Sequence, residues 1–182
     1  MAAFKSIVIS GLPAVGKSAL KEKLVKELGM EALSIGGMWR EKWKTEHPDG
    51  EPAFDKYWKS IGITENRRMD ERTRSRVEKE GLIADLRYTY GYGETSLKVF
   101  LTAPLNARIA HSIEREEYLD KDVDHVTYSL IRREEDEVYV GRRLYGIDYR
   151  DPLQYNLILN TATLTLEEEA RIVTNLFRLR RD

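Results

Sequence analysis

Eight consecutive residues, Gly11-Leu12-Pro13-Ala14-Val15-Gly16-Lys17-Ser18, match G-x-x-x-x-G-K-[ST] at every fixed position. The glycines allow the backbone to curl until several N–H groups point inward at phosphate oxygens. A helix beginning at the end of the loop adds the partial positive charge of its N-terminus to the same spot. Within such a loop Lys17 reaches the β- and γ-phosphates of a nucleoside triphosphate, and Ser18 offers its hydroxyl to Mg2+. A nucleoside triphosphate and Mg2+ are therefore the expected ligands of Gly11 to Ser18.

Moving a phosphoryl group also needs a carboxylate near the metal and cations around the migrating charge. Asp85 follows a short apolar run, so it should emerge at the carboxyl edge of a sheet, where α/β proteins bind ligands. It is a candidate for metal and substrate, with Arg87 two residues on; a plain Asp–Arg loop pair is the competing explanation. Gly36-Gly37-Met38-Trp39-Arg40 places Arg40 just inside a helix at a second such edge. Further along, Arg132 and Arg133 are separated from Arg142 and Arg143 by a stretch that includes Val138-Tyr139-Val140-Gly141. On an unbroken helix the two pairs stand about 16 Å apart, too far to grip one phosphate. A bend at 138–141 is expected to close them as a flap over the triphosphate. The acidic run Glu134 to Glu137 keeps a solvated charged helix as the alternative.

The elements that must hold these residues follow from periodicity. Phe4 to Ile9 reads as a buried strand, and Leu20, Leu24, Val25 and Leu28 share one face of a helix stopped by Gly29. Glu31 to Ile35 is a second strand, ended by Gly36-Gly37, with a helix over Met38 to Thr45. Helices are expected at 54–60 and 64–80, the latter rich in arginine (67, 68, 72, 74 and 76). Leu82 to Ala84, Leu97 to Leu101 and Tyr155 to Leu159 complete five strands. Pro104 suits a helix start, and Thr165 with Glu168 forms a capping box. Strands alternating with helices imply a parallel sheet covered on both faces.

Composition narrows the function classes. The 182 residues suit one domain. Thirty basic and 31 acidic residues leave a net charge of −1, which argues against coating nucleic acid or an anionic membrane. With no cysteine, disulfides and thiolate metal sites are excluded, and the three histidines lack ligand spacing. No signal-type stretch or membrane span is expected, so a cytoplasmic location is.

Together these motifs resemble the cytidylate kinases of the nucleoside monophosphate kinase group, archaeal-type members most closely. The similarity extends past the phosphate loop to Ser34 through Arg40, Ala84-Asp85-Leu86-Arg87, Leu97 through Leu105, Tyr145-Gly146-Ile147-Asp148 and Tyr155 through Thr161. Leu86 departs from a customary glycine and Asn156 from a frequent aspartate. Ile35 stands where a small residue is common.

The resemblance implies an α/β fold: a doubly wound, five-stranded parallel sheet of the P-loop NTPase type. It also implies an NMP-binding insertion near 36–80 and a lid near 116–148. Gly36, Arg40, Asp85 and Arg87 would serve the acceptor, and Lys17, Arg87, Arg132, Arg133, Arg142 and Arg143 the transferred phosphoryl. The implied reaction is ATP-dependent phosphorylation of CMP or dCMP. Partners would be small-molecule nucleotides, with neither nucleic acid nor membrane, and the chain a monomer. The alternatives are another acceptor (AMP, UMP or a non-nucleotide alcohol) and a catalytically weak regulatory protein.

Overall fold

Strand β1, Ser6–Gly11, is buried along its whole length, as expected for an apolar run covered on both sides. It occupies the centre of a five-stranded sheet of order β2-β3-β1-β4-β5, in which every pairing is parallel. The other strands are β2 (Ala32–Ser34), β3 (Ile83–Asp85), β4 (Ser96–Thr102) and β5 (Leu157–Asn160). The helices are α1 (Lys17–Leu28), α2 (Ile35–Glu46), α3 (Ile63–Glu80), α4 (Leu105–Ile113), α5 (Val123–Tyr145) and α6 (Leu166–Leu179). The computed structural model describes residues 2–52, 56–57, 60–113 and 121–180. The helix expected over 54–60 falls largely outside the described residues, as do positions 116–120 of the expected lid.

Alternation along β1 builds two cores. Ile7 and Ile9 join Leu20, Leu24, Leu97, Leu101, Val173 and Phe177 under α1 and α6. Val8 faces the other way, onto Leu33, Val77, Leu82, Ala84 and Leu86 beneath α3. Each fully buried valine, leucine, isoleucine or phenylalanine among them contributes about 1.5–3 kcal/mol. A smaller cluster of Phe100, Val138 and Tyr149 fastens α5 against the carboxyl end of the sheet. The capping box of Thr165 and Glu168 starts α6 as expected.

Three local expectations shift. β1 begins at Ser6 because the Phe4 amide donates to Arg180 O instead, at 2.7 Å. Gly36 and Gly37 do not end a strand; they lie in the first turn of α2, whose N-cap Ser34 accepts from the Gly37 amide at 3.3 Å. The bend expected at 138–141 is absent, since α5 runs unbroken over 23 residues to a left-handed Gly146. Gly141 serves close packing: a Cβ there would lie 2.9 Å from Tyr88 Cε1 and 3.2 Å from Ile147 O. The flap drawn from that bend is corrected with it.

Candidate active site

β1 lies between β3 and β4, so the loop leaving its carboxyl end opens beside the residues that end β3. Gly11 is the last residue of the strand, at φ +151, and a Cβ on it would stand 2.4 Å from Leu101 O of β4. Only glycine lets the chain leave the sheet there. Ala14 at φ +64 and Gly16 at φ +85 complete the curl, and Gly16 caps α1. A left-handed alanine is locally costly, and such strain clusters at ligand-holding loops. The amides of the loop and the start of α1 thus form a nest for phosphate oxygens.

Lys17 Nζ donates to Gly11 O at 2.7 Å and Leu12 O at 2.8 Å, so the ammonium folds back over its own loop. Burial pulls it down to about 8 from the usual 10.5; nearby Glu137 opposes the drop, while Arg133 and Arg87 add to it. A phosphate anion placed on the loop favours the charged form and raises the value again. Nucleotide binding between about pH 8 and 10 should therefore take up a proton, and affinity should fall as pH rises through that window. Calorimetry in buffers of different ionisation enthalpy measures the uptake, which Lys17→Met should abolish.

Asp85 meets α1 from the end of β3. Its Oδ2 accepts from Lys21 Nζ at 3.0 Å and from Ser18 Oγ at 3.4 Å. Its Oδ1 is buried and finds no hydrogen-bond partner among the described residues. An orphaned carboxylate oxygen beside a hydroxyl fits Mg2+, which takes one or two carboxylates and completes its octahedron with water and substrate phosphates.

Arg87 is the hinge of the site. Its Nε lies 3.3 Å from Glu137 Oε1 on α5, and Arg133 Nε reaches the same oxygen at 3.1 Å. Burial pushes the Glu137 carboxyl up, but Arg87, Arg133 and Lys17 together hold it below the usual carboxylate range. Arg87 also lines a cavity of about 470 Å³ with Ile35, Arg67, Asp70, Arg74, Tyr88 and Tyr145 among its other walls. Arg67 donates to Leu144 O, and the Tyr145 hydroxyl to Asp70 Oδ2, joining α3 to the end of α5. Tyr90 stacks on Tyr145 with ring centroids 4.9 Å apart. Burial raises the Asp70 carboxyl, against the Tyr145 hydroxyl and the charges of Arg87 and Arg74.

The four arginines expected to form a flap have different surroundings. Arg133 belongs to the Glu137 cluster, whereas Arg143 lines the cavity and donates to Tyr139 Oη at 3.1 Å. Arg132 pairs with Asp136 at 3.5 Å and Arg142 with Asp148 at 3.1 Å, both on exposed surface. Arg40 sits on the exposed face of α2, with its guanidinium near Gly36, and is not among the residues that form the cavity wall. Sequence reasoning missed Glu137, Asp70, Arg67, Arg74, Tyr88 and Tyr145 as site residues. One signal was available for α3: Arg67, Asp70 and Arg74 recur at helical spacing on one face, beside the buried Thr73 and Val77.

No family model matches the chain. A cytidylate kinase of Methanoregula boonei is 26% identical over 178 residues, covering 92% of this chain and 91% of the relative. One from Methanothermobacter thermautotrophicus is 29% identical over 160 residues, 85% of this chain and 94% of its own length. Among solved structures, an uncharacterized protein from Eubacterium ventriosum superposes with a TM-score of 0.73 at 14% identity, covering 96% and 98% of the two chains. A gluconokinase from Sinorhizobium meliloti does so at 0.62 and 14%, covering 98% and 95%. With its phosphate loop, its parallel sheet and a similarity that covers 85–92% of its length, the chain resembles the archaeal-type cytidylate kinases and has the fold of the P-loop kinases.

Proposed function

We propose that this protein transfers the γ-phosphoryl of ATP to a nucleoside monophosphate, CMP or dCMP in preference to others. One observation carries the reading: Arg87 belongs both to the cation cluster beside Lys17 and to the wall of the tyrosine- and arginine-lined cavity. A cavity of that size suits a nucleotide-sized ligand. Its arginines match a phosphate dianion, and Tyr90 with Tyr145 offers ring faces to a base. The similarity to curated cytidylate kinases supports the choice of base.

The chain's own residues have a limited task. The loop amides and Lys17 hold the donor phosphates, and Arg87 with Arg133 neutralises the charge that spreads over the moving group. Ser18 and Asp85 would hold Mg2+, which would supply positive charge against the charge on the transferred group. A monophosphate, whose second pKa is about 6, is already largely a dianion at neutral pH. No general base is needed. Positioning and charge neutralisation then account for the catalysis.

A coupled ADP-release assay across a panel of acceptors tests this. CMP and dCMP should turn over fastest, then UMP, then AMP. Faster turnover of AMP would overturn the base preference and leave the kinase. Turnover of a non-nucleotide alcohol with no monophosphate active would overturn the acceptor class.

A further inference from the structure

An acidic side chain sits inside the cation cluster of the active site. Glu137, near the middle of α5, is 4% exposed. Its Oε1 receives Arg87 from the loop after β3 and Arg133 from the preceding turn of its own helix, both through Nε. Using Nε leaves the two-nitrogen end of Arg133 for an anion. The Glu137 backbone carbonyl accepts from Tyr88 Oη at 2.7 Å, so consecutive residues of the β3 loop are tied to one residue of α5. Gly141, one turn later, lets the Tyr88 ring come close enough to make that bond. Because α5 is continuous and packed on Phe100 through Val138, the carboxylate has no hinge on which to leave.

We propose that Glu137 is a positioning residue for phosphoryl transfer, aiming Arg87 and Arg133 together at the group held over Lys17. This rests on the kinase reading above. Arg87 and Arg133 come from different elements and repel each other; one shared oxygen sets their separation and direction. The same charge lowers the cost of gathering three cations before any phosphate binds. Two other roles are open to a buried glutamate here. It could merely balance charge, or it could compete with the triphosphate as an anion.

Glu137→Gln and Glu137→Asp separate the three. Steady-state kinetics, ATP binding and melting temperature are read for each, well below the melting transition. If Glu137 positions the arginines, both variants lose about tenfold to a hundredfold in kcat. The KM for ATP stays within about threefold. The aspartate fails despite its charge, because it withdraws by one methylene. Full activity in Glu137→Asp with loss in Glu137→Gln would show charge balance alone and overturn the proposal. Tighter ATP binding with unchanged or higher kcat in Glu137→Gln would show a competing anion and overturn it too. Wild-type turnover matched by both variants sinks this role and leaves the kinase reading intact. No wild-type turnover on any acceptor sinks both.

Discussion

Lys17→Ala is expected to cut phosphoryl transfer by about a hundredfold to a thousandfold, the usual loss when one charged donor to a developing anion is removed. The ammonium ties back to Gly11 O and Leu12 O at the mouth of the loop, where the β- and γ-phosphates of a bound triphosphate would lie. Its removal leaves the loop amides in place, so nucleotide binding should weaken less than turnover. The fold should persist, since Lys17 forms part of neither apolar core. Melting temperature should even rise slightly, as a partly desolvated ammonium is an unfavourable group to bury. Stopped-time assays beside thermal melts read both quantities. Near-normal turnover in a folded variant would remove this loop from catalysis.

The second large effect concerns stability. Gly11→Ala places a methyl group 2.4 Å from Leu101 O and 2.9 Å from Leu101 Cβ, against the backbone of the adjoining strand. Neither neighbour is the flexible end of a side chain, so β4 or the loop itself must move. Overpacking of that kind costs about 1–3 kcal/mol, and a φ of +151, outside the left-handed helical well, adds about 1–3 kcal/mol. The sum is about 2–6 kcal/mol, or a fall of about 4–24 °C in melting temperature for a domain of this size. Gly16→Ala is the control. It shares a positive φ, but its Cβ would meet nothing within 4 Å, so only the conformational part should appear. Equal losses at the two positions would mean that the contact with β4 does not govern Gly11.

The phosphate loop was legible in the sequence because its chemistry is contiguous: eight neighbouring residues supply the glycines, the cation and the hydroxyl. β1 was legible because a strand buried on both faces favours a continuous apolar run, which Ile7 to Ile9 supplies. Asp85 and Arg87 could be placed at a sheet edge because a short apolar strand ends beside them. The capping box at Thr165 is likewise a relation between residues three apart.

The tyrosine- and arginine-lined cavity and the Glu137 cluster were not legible. Glu137 stands in an acidic run that reads as a solvated face, and its burial depends on Arg87, far away in the chain. Asp70 and Arg67 look like members of a polar helix until Leu144 and Tyr145 come to lie against them. Gly141 suggested a bend, since glycine signals a permissive backbone; its actual cause is the ring of Tyr88 pressed against α5. Periodicity and motif report what a chain does with its near neighbours. Which charges share one oxygen, and which glycine faces a ring, depends on contacts whose loop-closure cost is met only once the sheet and both cores have formed.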